Sequence, residues 1–343
     1  MIIRARAPLR ISFGGGGTDV PPYPEKYGGV VLSTTIDKYA YCTVTQGEVN
    51  GYVFRSDDLG LSEFYPDLRS LKYNGIMDLP KSVIRAVGNG SPKNLEFSLF
   101  SDAAPGSGLG SSSALMVAII RAVSDLLGRQ PSNGSIAEMA YKLERDELGI
   151  KGGYQDQYSS AFGGLNFMEF SGTGVAVNPL NVRTEILNEL LASLVLIDTG
   201  KSRLSSDILS RQIESYARGE SETLENLRGI KRVALEMKSS LLNGDLMRFG
   251  ELLGEEWQYK KHLDAMISNP QIDSIYEVAL QNGAVGGKVL GAGDGGHMLF
   301  FVEFQKRRIL TKFFESKGYR TVSFNFDRNG VGSWKLREDG VLA

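Results

Sequence analysis

The chain has 343 residues, with 38 Lys+Arg against 40 Asp+Glu and a formal net charge of −2, a length that at roughly 150 residues per domain suggests two domains. The near-neutral balance and the lack of any block of five like charges give no basis for a nucleic-acid surface or a charged tail. A single cysteine excludes an internal disulfide, and one cysteine with two well-separated histidines excludes a Cys/His metal cage.

The first residues alternate as a strand over 2–7, and β-branched and aromatic runs predict strands at 29–36 and 39–45, with Cys42 a buried small hydrophobe in the latter. A short helix is expected at 81–87, then a strand at 95–100 that opens into a Gly/Ser loop at 102–111. Leu115, Ile119, Val123 and Leu126 recur at helical spacing beyond it, with Gly128 as a stop. A second helix is expected at 135–148, a break at 149–153 and a strand at 164–170. Further on come a strand at 193–198, helices at 205–218, 220–243 and 245–263, strands at 286–291, 297–304 and 320–326, and a helix at 305–317. This order is mixed α+β, not the regular alternation of a doubly wound sheet. No window approaches 18 apolar residues and the first eight residues lack a signal-peptide core, so the expectation is a soluble cytoplasmic protein.

Glycine is the loudest compositional signal: 41 residues, against a usual share of about 7%, gathered at 14–17, 106–110, 152–153, 163–164 and 283–296. Glycine clustered in an ordered chain points to backbone lying close to a ligand, or to tight turns. In Pro105–Ala114 the Gly-rich loop opens a helix, offering unpaired N–H groups and the positive end of the helix dipole to polyphosphate. It is not a Walker A loop, because no Lys-Ser/Thr follows Gly110, and a plain Gly/Ser helix cap is the alternative. Gly291–Gly296 satisfies G-x-G-x-x-G, but a strand follows where a dinucleotide site requires a helix, so a glycine hairpin is the better reading. In Arg10–Asp19 four glycines separate a strand from Thr18 and Asp19, and the flanking charges suit either mutual pairing or a polar substrate.

Taken together, these three segments resemble the GHMP superfamily of small-molecule kinases. Pro105–Ala114 is similar to the family's ATP loop, Arg10–Asp19 has the spacing of its first motif, and Lys288–Gly296 resembles its third. The resemblance runs from Arg4 to about Phe301. The first motif lacks the Glu-His pair of galactokinases and is similar to the branch holding fucokinases and bacterial heptose 7-phosphate kinases; the chain is too short for a bifunctional fucokinase. The third motif departs from the pattern at Asp294 and His297.

The resemblance implies an α+β, two-domain fold: an ATP-binding domain related to ribosomal protein S5 domain 2 over 1–185, and a ferredoxin-like domain over 186–343. It implies ATP and Mg²⁺ as cofactors, with Pro105, Gly106, Ser107, Gly108, Leu109, Gly110, Ser111 and Ser112 at the phosphates and Ser112 and Glu144 at the metal. Asp156 becomes the base or orienting group, with Arg10 opposite it to stabilise negative charge. Thr18, Asp19 and Gly293 are expected at the sugar. Lys201 and Arg203 are expected at its phosphate, since they lie in the densest cation–hydroxyl cluster outside the ATP loop, and Lys288 is an alternative. The expected reaction is phosphorylation of the anomeric hydroxyl of a heptose 7-phosphate by a monomer or homodimer. A 1-kinase for an unphosphorylated hexose and a non-catalytic sensor are the competing expectations.

Overall fold

The computed structural model describes residues 1–47, 49–90, 92–200, 206–337 and 342. In chain order the elements are β1 (Ile2–Gly14), α1 (Tyr23–Tyr27), β2 (Gly29–Gln46), β3 (Tyr52–Ser56), β4 (Leu61–Tyr65), α2 (Asp78–Val87), β5 (Leu95–Ser101), α3 (Ser111–Leu126), α4 (Asn133–Lys142), α5 (Gln155–Phe162), β6 (Leu165–Ser171), β7 (Gly174–Pro179) and α6 (Thr184–Ser193). They continue as β8 (Leu194–Asp198), α7 (Ser206–Ala217), α8 (Ser221–Asn243), α9 (Leu246–Lys261), α10 (Pro270–Gln281), β9 (Ala284–Val289), β10 (His297–Val302), α11 (Phe304–Ser316), β11 (Arg320–Val322), β12 (Phe326–Asp327) and β13 (Gly332–Leu336).

The strands form two sheets. The first is organised by β2, whose 18 residues are rich in Val, Thr, Ile and Tyr and suit a pleated, half-buried surface. One edge of β2 pairs with β1 over nearly its whole length. Its other edge is shared by β6, then β12, then β5. The final strand β13 pairs with the outer edge of β1, so the chain returns at its end to the sheet where it began. The second sheet is antiparallel in the order β11-β8-β10-β9.

One apolar core runs through both sheets: Ile11 and Phe13 of β1 share it with Met116 and Ile120 of α3, Met237 of α8, Phe249 of α9 and Leu299 of β10. The approach of β1 to α8 is close enough that a Cβ on Gly14 would lie 2.6 Å from Met237 Sδ. This packing fixes the C-terminal end of β1 against α8 and α9.

The mixed α+β class stands, and three local expectations are corrected. The helix expected over 135–148 ends at Lys142, and Leu143–Glu147 continues as a turn of π-helix, a wider winding often found where a helix presents a functional group. The strand expected over 320–326 is two short pieces that serve different sheets. The helix α10 was not anticipated, although Asn269 caps it by accepting from the N–H groups of Gln271 and Ile272 at 3.0 Å, with Pro270 at its first position. No helix among the described residues is long and apolar enough to cross a membrane.

Candidate active site

The C-terminal end of β1, the loop before α3, the start of α5 and the β9–β10 turn meet around one cleft. Gly106, Gly108, Gly110, Ser111 and Ser112 line it. Gly106, Gly108 and Gly110 all hold positive φ, between +75° and +81°, a region where other residues are strained. Gly110 precedes α3 with no side-chain cap, so the first N–H groups of the helix are left to a ligand. Between the glycines, Ser107 and Leu109 are buried and anchor the loop, and Pro105 lies outside the cleft lining. The loop thus alternates residues that face the cleft with residues that face the core.

The β9–β10 turn lies on this loop, backbone against backbone. A Cβ on Gly108 would sit 2.5 Å from Leu290 O, one on Gly291 2.7 Å from Gly108 Cα, and one on Gly296 2.5 Å from Ser107 O. Gly293, at φ +124°, lines the cleft and rests on Ile267. The two departures in this motif have structural work. His297 is buried, and its backbone N and its Nδ1 both donate to Ser107 O, at 3.1 and 2.8 Å. Burial lowers its pKa, and the two bonds clamp the turn to the loop. The backbone N of Asp294 donates to Ile267 O, and its Oδ1 accepts from Asn269 Nδ2 at 2.9 Å. Its carboxylate is thereby tied to the cap of α10, and Asp294 is outside the cleft lining.

Arg10 and Asp156 meet as expected. Arg10 Nε and Nη2 lie 2.8 and 2.7 Å from Asp156 Oδ1, while Nη1 donates to Gly108 O. Arg10 therefore joins the phosphate loop to the acid, and among the described residues the second oxygen of Asp156 has no hydrogen-bond partner. The arginine is buried and the Asp156 side chain is a quarter exposed at the cleft.

Ser112 and Glu144 also come together. Glu144, on the π-helical turn, is fully buried; its carboxylate accepts from Ser113 Oγ at 2.8 Å, from Gln157 Nε2, and from Ser112 Oγ at 3.4 Å. Burial raises its pKa against the opposing effects of Arg145, Gln157 and Ser113. Ser113 was missed from sequence, since nothing in a Ser-Ser-Ser run says which hydroxyl faces an acid 31 residues away. Gln157, a carboxamide beside Asp156 that could orient it, turns to Ser113 and Glu144 instead.

Thr18 and Asp19 behave differently from expectation. Thr18 Oγ1 donates to Gly15 O and Val30 O and accepts from Val30 N. Asp19 is fully buried and accepts from Gly17 N, Gln155 N and Gln155 Nε2 at 3.0–3.2 Å. Neither lines the cleft, and both hold its wall by bonds within the protein. Lys201 and Arg203 lie outside the described residues.

The cations that the structure does place at the cleft are Arg145, Lys151, Lys260 and Lys288, besides Arg10. Lys288 Nζ lies 2.8 Å from the fully buried Glu256 carboxylate and donates to Phe13 O. Lys260 Nζ donates to Val289 O and Gly291 O, bracing the β9–β10 turn. Burial, reinforced by Lys288, lowers the Lys260 pKa to about 7. Lys260 was overlooked because it sits in a charged helix end, where a solvated side chain is the ordinary expectation.

Two family models match this chain: the GHMP kinase N-terminal domain over residues 78–164 and the GHMP kinase C-terminal domain over 237–319. A D-glycero-alpha-D-manno-heptose 7-phosphate kinase from Campylobacter jejuni is 39% identical over 97% of this chain and 99% of the relative. The chain is a GHMP kinase. Its fold is shared with the crystal structure of a D-glycero-D-manno-heptose 1-phosphate kinase from Bacteroides thetaiotaomicron, at a TM-score of 0.83 and 33% identity over 98% of this chain and 100% of the other. A bifunctional fucokinase/GDP-fucose pyrophosphorylase from Arabidopsis thaliana is 26% identical over 88% of this GHMP kinase and 30% of the relative.

Proposed function

We propose that this GHMP kinase is an ATP-dependent sugar kinase that phosphorylates the anomeric hydroxyl of D-glycero-D-manno-heptose 7-phosphate, giving the 1,7-bisphosphate. The observation that carries the chemistry is the Arg10–Asp156 pair, bonded on one side to the phosphate loop and open on the other to the cleft. Near full-length similarity to the Campylobacter kinase carries the choice of sugar. The fucokinase match is weaker and spans under a third of its relative, so an unphosphorylated hexose is the lesser reading. Arg10, Glu144 and Asp156 are all present and assembled, which counts against a non-catalytic sensor.

Phosphoryl transfer is carried mainly by positioning and by stabilising charge. In this reading the N–H groups of residues 106–112 that are not used inside the loop, as Ser107 N is by Ala104 O and Leu109 N by Ser107 Oγ, hold the ATP phosphates in line. Asp156 Oδ2 accepts the hydrogen bond of the attacking hydroxyl and directs its lone pair at the γ-phosphorus. The new P–O bond forms as the bond to ADP breaks, and Arg10 stabilises the negative charge between them. The Ser112–Glu144 pair fits a hard cation: Glu144 is a buried carboxylate next to the exposed hydroxyl of Ser112. Among the described residues no cluster of three metal-binding side chains occurs, so most of the coordination would come from phosphate oxygens and water. Ser112 and Glu144 would hold Mg²⁺, which would supply neutralisation of phosphate charge.

The direct test is ADP release with ATP·Mg²⁺ and a panel of heptose 7-phosphate, mannose, fucose, galactose, homoserine and mevalonate. The proposal expects turnover on heptose 7-phosphate far above the others. Preferred turnover of a neutral hexose would overturn the choice of substrate and leave the assigned chemistry standing.

A further inference from the structure

Among the described residues, two buried side-chain oxygens of the cleft lining have no partner: Ser12 Oγ and Gln155 Oε1. Both residues line the cleft together with Gly16. Both side chains stand beside Gly16, where a Cβ would lie 3.5 Å from the Gln155 amide nitrogen and 3.7 Å from Ser12 Oγ. The orientation of the Gln155 amide follows from its surroundings. Its Nε2 donates to Asp19 Oδ1 at 3.2 Å, and that carboxylate also accepts from the backbone N–H groups of Gly17 and Gln155. The amide must present nitrogen to Asp19, which leaves its carbonyl oxygen as the free group.

A buried hydroxyl or carbonyl oxygen without a partner costs about 1–3 kcal/mol, and two beside one side-chain-free position form a site for hydroxyl groups. We propose that Ser12 Oγ and Gln155 Oε1, reached across Gly16, are the specificity-determining groups that read the hydroxyls of the acceptor. The chemical class is a neutral polyol. Gln155 Oε1 accepts from one acceptor hydroxyl, and Ser12 Oγ donates to or accepts from a neighbour. The Asp156 carboxylate stands at this end of the cleft with Arg10 committed to it, and Asp19 sits in the wall behind the Gln155 amide. The sugar enters with its hydroxyl face at Gly16 and its own phosphate directed elsewhere. This inference deepens the proposed sugar-kinase reading and rests on it.

Gly16 makes the test clean, because it has no positive φ and its Cβ contacts would be ordinary van der Waals distances. Gly16→Ala keeps the backbone and sets a methyl group beside Ser12 Oγ and the Gln155 amide. Gly16→Ala and Ser12→Ala are each expected to raise the acceptor KM by about three- to tenfold, with the KM for ATP and the melting temperature unchanged. Monodeoxy acceptors provide a readout that needs no variant: one deoxy position should weaken binding to wild type and add no further loss in Ser12→Ala. An unchanged acceptor KM in both variants, an equal rise in the KM for ATP, or additive losses at every deoxy position would overturn the inference. A wild-type protein that phosphorylates no polyol would overturn the sugar-kinase reading, and this inference with it.

Discussion

Asp156 has one oxygen held by Arg10 and the other without a bond to any described residue. Asp156→Asn keeps the shape but cannot accept the hydroxyl's hydrogen in the same way. Its kcat is expected to fall by about 10²–10⁴ with nucleotide binding intact, as checked by steady-state rates beside an ADP titration. At Glu144 the expectation differs: Glu144→Gln removes the negative charge and keeps the hydrogen bonds to Ser113, so the Mg²⁺ concentration for half-maximal rate should rise while kcat at saturating Mg²⁺ is largely kept. Magnesium titrations of both proteins check this, and superimposable curves would remove Glu144 from the metal site. Arg10, Asp156 and Glu144 were legible in the sequence only through family resemblance, since Glu144 in a run of charged helix residues otherwise reads as a solvated carboxylate. Ser113, Gln157 and Lys260 were not legible, because their roles depend on which side of a turn a side chain falls and on what lies across the cleft.

The glycine loops were the most legible elements, because a cluster of residues that costs entropy on folding needs a reason in close approach or positive φ. Their mutual packing was not legible: Gly108 and Gly291 are 183 residues apart, and only the meeting of β5–α3 with β9–β10 brings them together. Gly108→Ala combines φ +81° with a Cβ 2.5 Å from Leu290 O. Gly128→Ala has a similar φ of +68° and open space around its Cβ. The second is expected to cost only the left-handed penalty of about 1–2 kcal/mol and to leave the KM for ATP unchanged. The first should cost more in melting temperature and raise the KM for ATP at least severalfold, because the phosphate loop must move off the β9–β10 turn. Calorimetry and nucleotide titration of the pair separate strain from displacement. Helix boundaries failed where tertiary packing overrode local pattern: the π-helical turn at Leu143–Glu147 presents Glu144 toward Ser113, which 3.6-residue periodicity does not anticipate.

Across the molecule, the cleft lies over an unusual density of buried charge: Arg10, Asp19, Glu144, Glu256, Lys260 and Lys288 are all nearly inaccessible. Burial lowers the pKa of Lys260 to about 7 and lowers that of Lys288. Between pH 7 and the ordinary lysine range the unfolded chain therefore binds more protons at Lys260 than the folded protein, so this residue makes stability rise with pH across that window. Facing it are Glu256 on its own helix, Lys288 on β9, Arg10 on β1 and Asp19 beyond β1, whose charges partly oppose one another. Lys260→Met should flatten the rise of melting temperature between pH 7 and 9 in ligand-free protein, as read by scanning calorimetry; an unchanged slope would show that Lys260 does not titrate there. The measurement that bears most directly on the function is the structure of the product. After incubation with ATP·Mg²⁺ and D-glycero-D-manno-heptose 7-phosphate, phosphorus NMR should show a second sugar phosphate coupled to the anomeric proton, and none should form with Asp156→Asn. A phosphate gained at any other carbon, or no sugar phosphate formed while ATP is bound, would contradict the assignment.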